Sequence, residues 1–158
     1  MRILQEHVEF IEYEPVKKEI TQAEEAEKKK VRIDELVVLF TSVENGDDEQ
    51  VARRAIEGVK EFLRGLGVNR ILIYPYAHLS QNLAKPSAAL DVLRKMESFA
   101  KESGIETHRS PFGWNKAFQI KVKGHPLAEQ SRAYAGAGAQ PAVVAAPAVE
   151  HQRRELSE

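Results

Sequence analysis

The sequence predicts an α/β (α+β) domain in which two helices pack on a mixed β-sheet. Three observations predict it. Residues 35–43 (ELVVLFTSV) and 70–74 (RILIY) are short apolar runs rich in β-branched side chains, as in central strands buried on both faces. Each is followed by a polar turn and then by apolar residues at helical spacing. Two more segments, at the start of the chain and over residues 116–123, alternate with a period of two, the mark of half-buried strands.

Each element has its own justification. Residues 1–13 place Ile3, Val8, Phe10 and Ile11 between Glu6, His7, Glu9 and Glu12. The alternation slips at Phe10-Ile11, so a strand in two pieces is expected, ended by Pro15. Residues 17–30 carry the block EEAEKKK and read as a solvated loop or a marginal helix. After the 35–43 strand, Asn45-Gly46-Asp47-Asp48 supplies a turn and a helix N-cap. The first helix is expected to reach about Leu63, with Val51, Ala55, Val59, Phe62 and Leu63 on its apolar face and Gly65 and Gly67 at its end.

The 70–74 strand leads into the polar stretch 74–86 (YPYAHLSQNLAKP), which carries His78. Pro86 suits a first helical position, and the second helix is expected to run to about Glu102 and to be capped by Gly104. Its apolar stripe is Ala89, Leu90, Leu93, Met96, Phe99 and Ala100. Residues 105–108 read as a strand. In residues 111–132 (PFGWNKAFQIKVKGHPLAEQSR) an aromatic-tipped turn feeds Lys116 into an alternating strand. The chain then turns at Lys123-Gly124-His125-Pro126, and Glu129 opens what reads as a helix. From residue 134 on, small residues, Gly and Pro follow with no period. Residues 1–133 are therefore expected to form the domain and 134–158 a linker or tail.

Composition narrows the function. At 158 residues the chain is long enough for one domain with a real core. The absence of cysteine excludes a disulfide scaffold, thiol catalysis and Cys-based metal sites. Charged residues make up 30% of the chain but leave a net charge of −1, which is not the basic balance of a protein that grips nucleic acid by its backbone alone. The opening residues are too polar for a signal peptide and no apolar run has membrane-spanning length, so a cytoplasmic chain without a membrane partner is expected. Neither HExxH nor GxSxG occurs, and Gly65-Leu66-Gly67 ends a helix instead of opening one. No metal and no cofactor are expected.

Candidate site residues cluster in the two polar stretches. His78 lies just past a buried strand, where α/β domains place chemistry, though an ordinary surface histidine fits equally. Lys116 is either a site cation or a solvated strand lysine like Lys121 and Lys123. Glu129 is either a site carboxylate that converges with Lys116 across the turn or a first-turn carboxylate facing a helix dipole. Tyr74, Tyr76, Phe112 and Trp114 would stack a base or wall an apolar pocket, and the pocket is the favoured reading.

Four segments in this order and spacing, AHLS, LAKPS, PFGWNKAF and KGHPLAE, resemble the N-terminal editing domain of archaeal-type threonyl-tRNA synthetase, as do the opening MRILQEHVEFIEYEP and the LVVLFTSVE strand. The resemblance covers residues 1–133 and implies a fold like D-aminoacyl-tRNA deacylase. It implies hydrolysis of mischarged L-seryl-tRNA(Thr), with the synthetase's catalytic domain as partner in cis or in trans, and a homodimer. It places catalytic roles on His78, Lys116 and Glu129, and a substrate pocket on Val43, Ala77, Ala89, Phe112 and Trp114. Many members of that family carry a tyrosine directly before the lysine. Here that position is Asn115, so any role of the hydroxyl passes to the amide or to Trp114. The competing reading is a non-catalytic module that binds a tRNA acceptor end or a synthetase partner.

Overall fold

The structure is a computed structural model that describes residues 1–136 and 142–143. Its elements are β1 (Arg2–Lys18), β2 (Val31–Ser42), α1 (Glu49–Leu66), β3 (Arg70–Pro75), a 3₁₀ turn (Ala77–Leu79), α2 (Pro86–Glu102), β4 (Glu106–Arg109), β5 (Trp114–Val122), β6 (Glu129–Ala133) and β7 (Ala142–Val143). The sheet order is β4-β3-β2-β1-β6-β7, with β5 also paired to β1. β3 runs parallel to β2 and β4, and the remaining pairs are antiparallel, so the sheet is mixed as expected.

β1 is the axis of the sheet. One edge pairs with β2, and the other carries β6 along Arg2–Glu6 and β5 along Val8–Lys18. The slip at Phe10-Ile11 is a bulge: the β1–β5 register shifts by one between Val8 and Phe10, while pairing to β2 continues past it. The bulge returns Ile11 and Tyr13 to the face of Val8, so the expected two pieces are one strand. Nor does Pro15 end it. Beyond Tyr13 the strand has no β2 partner, so a residue without an N–H sits on an open edge, and a second register shift absorbs it.

The two sheet faces bury different sets. Ile3, Val37, Leu39, Ile71 and Ile73 pack under Val51, Ala55 and Val59 of α1 and Leu93 and Met96 of α2. The opposite face buries Val8, Ile11, Val38, Phe40, Leu72 and Tyr74, against which Ile120 and Val122 of β5 and Leu79 of the 3₁₀ turn pack as the sheet curls. α1 starts as read: the Asp48 side chain accepts from Val51 N–H at 3.1 Å. It runs three residues past Leu63 and closes on Gly67, whose φ of 68° is the left-handed cap.

The segment expected to open a helix at Glu129 is instead β6, paired with Arg2–Glu6. The reason is tertiary. β5 leaves the first third of the β1 edge uncovered, and buried backbone N–H and C=O groups need partners there. Tyr134, the first residue beyond the expected domain, is 4% exposed; its N–H donates to Met1 O at 2.8 Å, and its ring occupies the space a side chain at Gly58 would take. The rest of the expected tail, apart from residues 135–136 and 142–143, lies outside the described residues.

Candidate active site

A cavity of about 250 Å³ opens where the parallel strands β2 and β3 end and their chains diverge. Such a strand-end crevice is where α/β sheets bind ligands. Val43, Ala77, Ala89, Phe112 and Trp114 line it, together with Thr41, Ser42, Pro75, Glu19 and Ile20. Backbone bonds hold its near wall. Tyr76 N–H donates to Thr41 O at 2.9 Å and Ala84 N–H to Val43 O at 3.0 Å, while the Ser42 hydroxyl donates to Tyr76 O. They tie the stretch that carries His78 across the strand ends. No helix among the described residues is long and apolar enough to cross a membrane, and those residues gather no group of three potential metal ligands.

Lys116 lies beside the cavity's aromatic wall. On β5 it shares strand parity with Trp114, Phe118, Ile120 and Val122, so it points to the apolar side, whereas Lys121 points outward and pairs with Glu9. Its ammonium donates to Ser110 Oγ at 3.0 Å and to Pro111 O at 2.7 Å, and it sits 4.3 Å from the Tyr74 ring centroid. Burial is the main force on its pKa, pushing it down to about 7; Glu24 works against that and Arg109 adds to it. Parity was a readable signal. The lysine stands in the apolar register of its strand, not in that of Lys121 and Lys123.

Glu24 was not singled out in the sequence. Its carboxylate is gripped by Arg109, through Nη1 and through Nη2 at 3.0 Å, and accepts Phe112 N–H at 2.9 Å. Its backbone O accepts the Trp114 indole N–H at 2.6 Å. Burial pushes this carboxyl up, but the bonds from Arg109 and Phe112 outweigh it and hold the pKa below the usual carboxylate range. Arg109 in turn donates to Glu97 at 2.9 Å. Nothing in EEAEKKK separates Glu24 from Glu25, which is exposed and paired with Lys18. Only the folded position does.

The other expected residues fall in three places. His78 is exposed in the 3₁₀ turn, next to the lining residue Ala77, with its ring edge-on to Tyr76 at 5.0 Å. Asn115 is exposed on β5 opposite Lys17 and does not line the cavity. Glu129 does not meet Lys116 within one chain. Lys116 pairs with Pro15 and Glu129 with Glu6, nine positions apart on β1, which is roughly 30 Å along a strand. The carboxylate expected beside Lys116 across the 123–126 turn is therefore absent from that place, because β5 and β6 lie end to end on the same β1 edge. Glu129 instead faces Glu6, which is 4% exposed; burial and this neighbour raise the Glu6 pKa to about 8, and the two carboxyls share a hydrogen bond.

Comparison with known proteins converges on one family. The archaea-specific editing domain of threonyl-tRNA synthetase matches residues 1–134. The threonine–tRNA ligase of Nitrosopumilus maritimus is 53% identical over 133 residues, which is 84% of this chain and 21% of the ligase. Those of Thermococcus kodakarensis and Methanocaldococcus jannaschii are 43% and 44% identical over 84% of this chain and 22% of each ligase. The chain thus spans about a fifth of the length of these relatives. Among solved structures, a probable eukaryotic D-amino acid tRNA deacylase superposes with a TM-score of 0.52, covering 78% of this chain and 94% of the deacylase at 12% identity, a likeness of fold.

Proposed function

The chain belongs to the archaea-specific editing-domain family of threonyl-tRNA synthetase, and from that premise we propose that it hydrolyses the ester of L-seryl-tRNA(Thr) and spares threonyl-tRNA(Thr). One observation carries the reading: a desolvated ammonium, Lys116, is fixed by Ser110 and Pro111 beside a small cavity walled by Phe112, Trp114, Ala77 and Ala89. Ester hydrolysis needs a placed water and a donor for the developing oxyanion. Lys116 supplies the donor or positions the water. His78, at the rim, orients water or substrate, and the free hydroxyl of the terminal ribose helps to activate the water.

Selectivity has a physical motive. Serine is threonine less one methyl, and a synthetic pocket rejects the smaller substrate by only about 1–3 kcal/mol, so a second site must remove the error. Ala77 and Ala89, set against backbone tied by the Tyr76 and Ala84 bonds, suit a pocket that admits serine and clashes with the extra methyl. Asn115 is exposed outside that wall, so its amide would bear on the tRNA end more than on the amino acid. The reaction would run in the cytoplasm, with the synthetase's catalytic domain in cis or in trans, on a homodimer. A second copy is also what Glu129 would need to act on Lys116, given their separation in one chain.

Ester loss from Ser-tRNA(Thr) and Thr-tRNA(Thr), followed with the purified chain, tests the reading. Serine is lost rapidly and threonine is retained; Lys116→Met slows serine loss at least ~100-fold, the scale of one oxyanion donor. Spontaneous rates with tRNA binding intact would instead identify a binding module.

A further inference from the structure

We propose that Glu24 is a positioning residue for Lys116, acting through the single peptide that joins Pro111 to Phe112. The C=O of that peptide accepts the Lys116 ammonium at 2.7 Å, and its N–H donates to Glu24 Oε1 at 2.9 Å. A carboxylate therefore stands at the positive end of one peptide dipole and an ammonium at its negative end. Both charges align and polarise the same group, and hydrogen bonds linked in this way strengthen one another.

The surroundings fix this arrangement. Residues 19–24, a strap that leaves the end of β1, lie along the 112–114 turn: Glu24 N–H donates to Phe112 O at 3.0 Å, Glu19 N–H to Gly113 O at 2.8 Å, and the Trp114 indole to Glu24 O at 2.6 Å. Gly113, at φ 84°, is the only residue type that fits, since a Cβ there would lie 2.8 Å from Ala23 Cα. The strap and the cavity wall thus meet backbone to backbone. The charged and titratable groups facing the pair are Arg109 from β4, Arg94 and Glu97 from α2, Glu19 from the strap and Tyr74 from β3. Glu24 favours the charged form of Lys116 and Arg109 disfavours it. Removal of the Glu24 charge leaves only Glu19 among these groups to oppose burial and Arg109, so the Lys116 pKa falls further. The sequence offers Glu129 as the carboxylate that converges with Lys116; within one chain the carboxylate coupled to it is Glu24.

The experiment titrates the Lys116 side chain by NMR in lysine-labelled protein. The parent titrates near pH 7; in Glu24→Gln the midpoint falls by ~1 unit, the low end of the effect of losing an opposite charge. Glu25→Gln, a change at the exposed neighbour, leaves it in place. Glu24→Gln leaves Arg109 with Glu97 alone, so its fold is checked from the same spectra, and the parent supplies an independent arm. There the Phe112 amide shift follows the Lys116 titration, and the step disappears in Lys116→Met. A kinetic arm rests on the proposed deacylase reading: the loss of seryl-tRNA hydrolysis above pH 7 moves to lower pH in Glu24→Gln, with the rate recovering toward the parent near pH 5.5. An unshifted Lys116 midpoint in folded Glu24→Gln, or a Phe112 amide that is flat through the Lys116 titration, overturns the inference. Absence of deacylation in the parent sinks the functional reading alone, since neither NMR arm needs a substrate.

Discussion

Lys116, Lys121 and Lys123 look alike in the sequence, yet each meets a different environment. Lys121 and Lys123 end on Glu9 and Glu35, as surface lysines do. Lys116 ends on a carbonyl, a buried hydroxyl and a ring, with no carboxylate in contact among the described residues, and burial lowers its pKa. A lysine that is partly neutral at neutral pH makes an unusual ion-pair partner and a good donor to a charge that forms only during reaction. Glu6 is the opposite case. Buried beside Glu129, it holds its proton well above the usual carboxylate range. With a folded pKa of about 8 against an ordinary 4.5, the native chain binds more protons than the unfolded one between those values. Stability is therefore full below about pH 4.5, as far as this group goes, and is lost as pH rises toward 8. We expect Glu6→Gln, which keeps a donor for Glu129 without a titrating proton, to flatten that decline. At pH 8 its Tm should exceed the parent's by ~5 °C, and thermal melts at pH 5 and pH 8 check both points.

At the scale of elements, the bulge in β1 and the start of α2 place the site. The bulge lies within the β5-paired part of β1, just past the end of the β6-paired part, and it is what puts Val8, Ile11 and Tyr13 on a common face. α2 brings Ala89 to the cavity from its first turn, where the Ala89 N–H already bonds to Lys85 O at 2.9 Å. The residue is fixed by backbone on a rigid element, so its methyl is a firm part of the wall. Ala89→Val adds two carbons to the cavity wall, and the helix holds them there. The added carbons occupy the cavity that the substrate needs, so seryl-tRNA hydrolysis falls at least ~10-fold, the scale of one methylene in a pocket. Circular dichroism and single-turnover deacylation separate the loss of pocket from loss of fold.

For the whole molecule, the distance between Lys116 and Glu129 is the decisive feature. The strand that carries Lys116 also leaves Phe118 42% exposed, and the turn after it leaves Leu127 49% exposed. Large apolar side chains of this kind on a sheet edge are candidates for cover by a second copy. We expect light scattering to give a mass twice that of one chain, and a monomeric mass would remove Glu129 from the chemistry of Lys116.

Periodicity and punctuation decided most of the fold in advance. The β-branched runs at 36–40 and 71–74, the Asp48 cap, Pro86 at the first turn of α2 and the glycine stops each express a local constraint that holds wherever the segment is placed. Ala77 on one polar stretch and Phe112 and Trp114 on the other line one cavity because the stretches leave and enter strands whose ends the topology brings together, whereas Asn115 and Glu129 lie away from it. What the tertiary structure alone decided is pairing between residues far apart in sequence. Whether residues 129–133 form a helix or a strand depended on the β1 edge that β5 leaves uncovered. Which glutamate serves Lys116 depended on a strap some ninety residues upstream, where Glu24 meets Phe112 across a separation of 88 positions and Glu25 does not. A short polar segment has no burial pattern of its own, so its structure and its chemistry are set by whatever unpaired groups the rest of the fold presents to it.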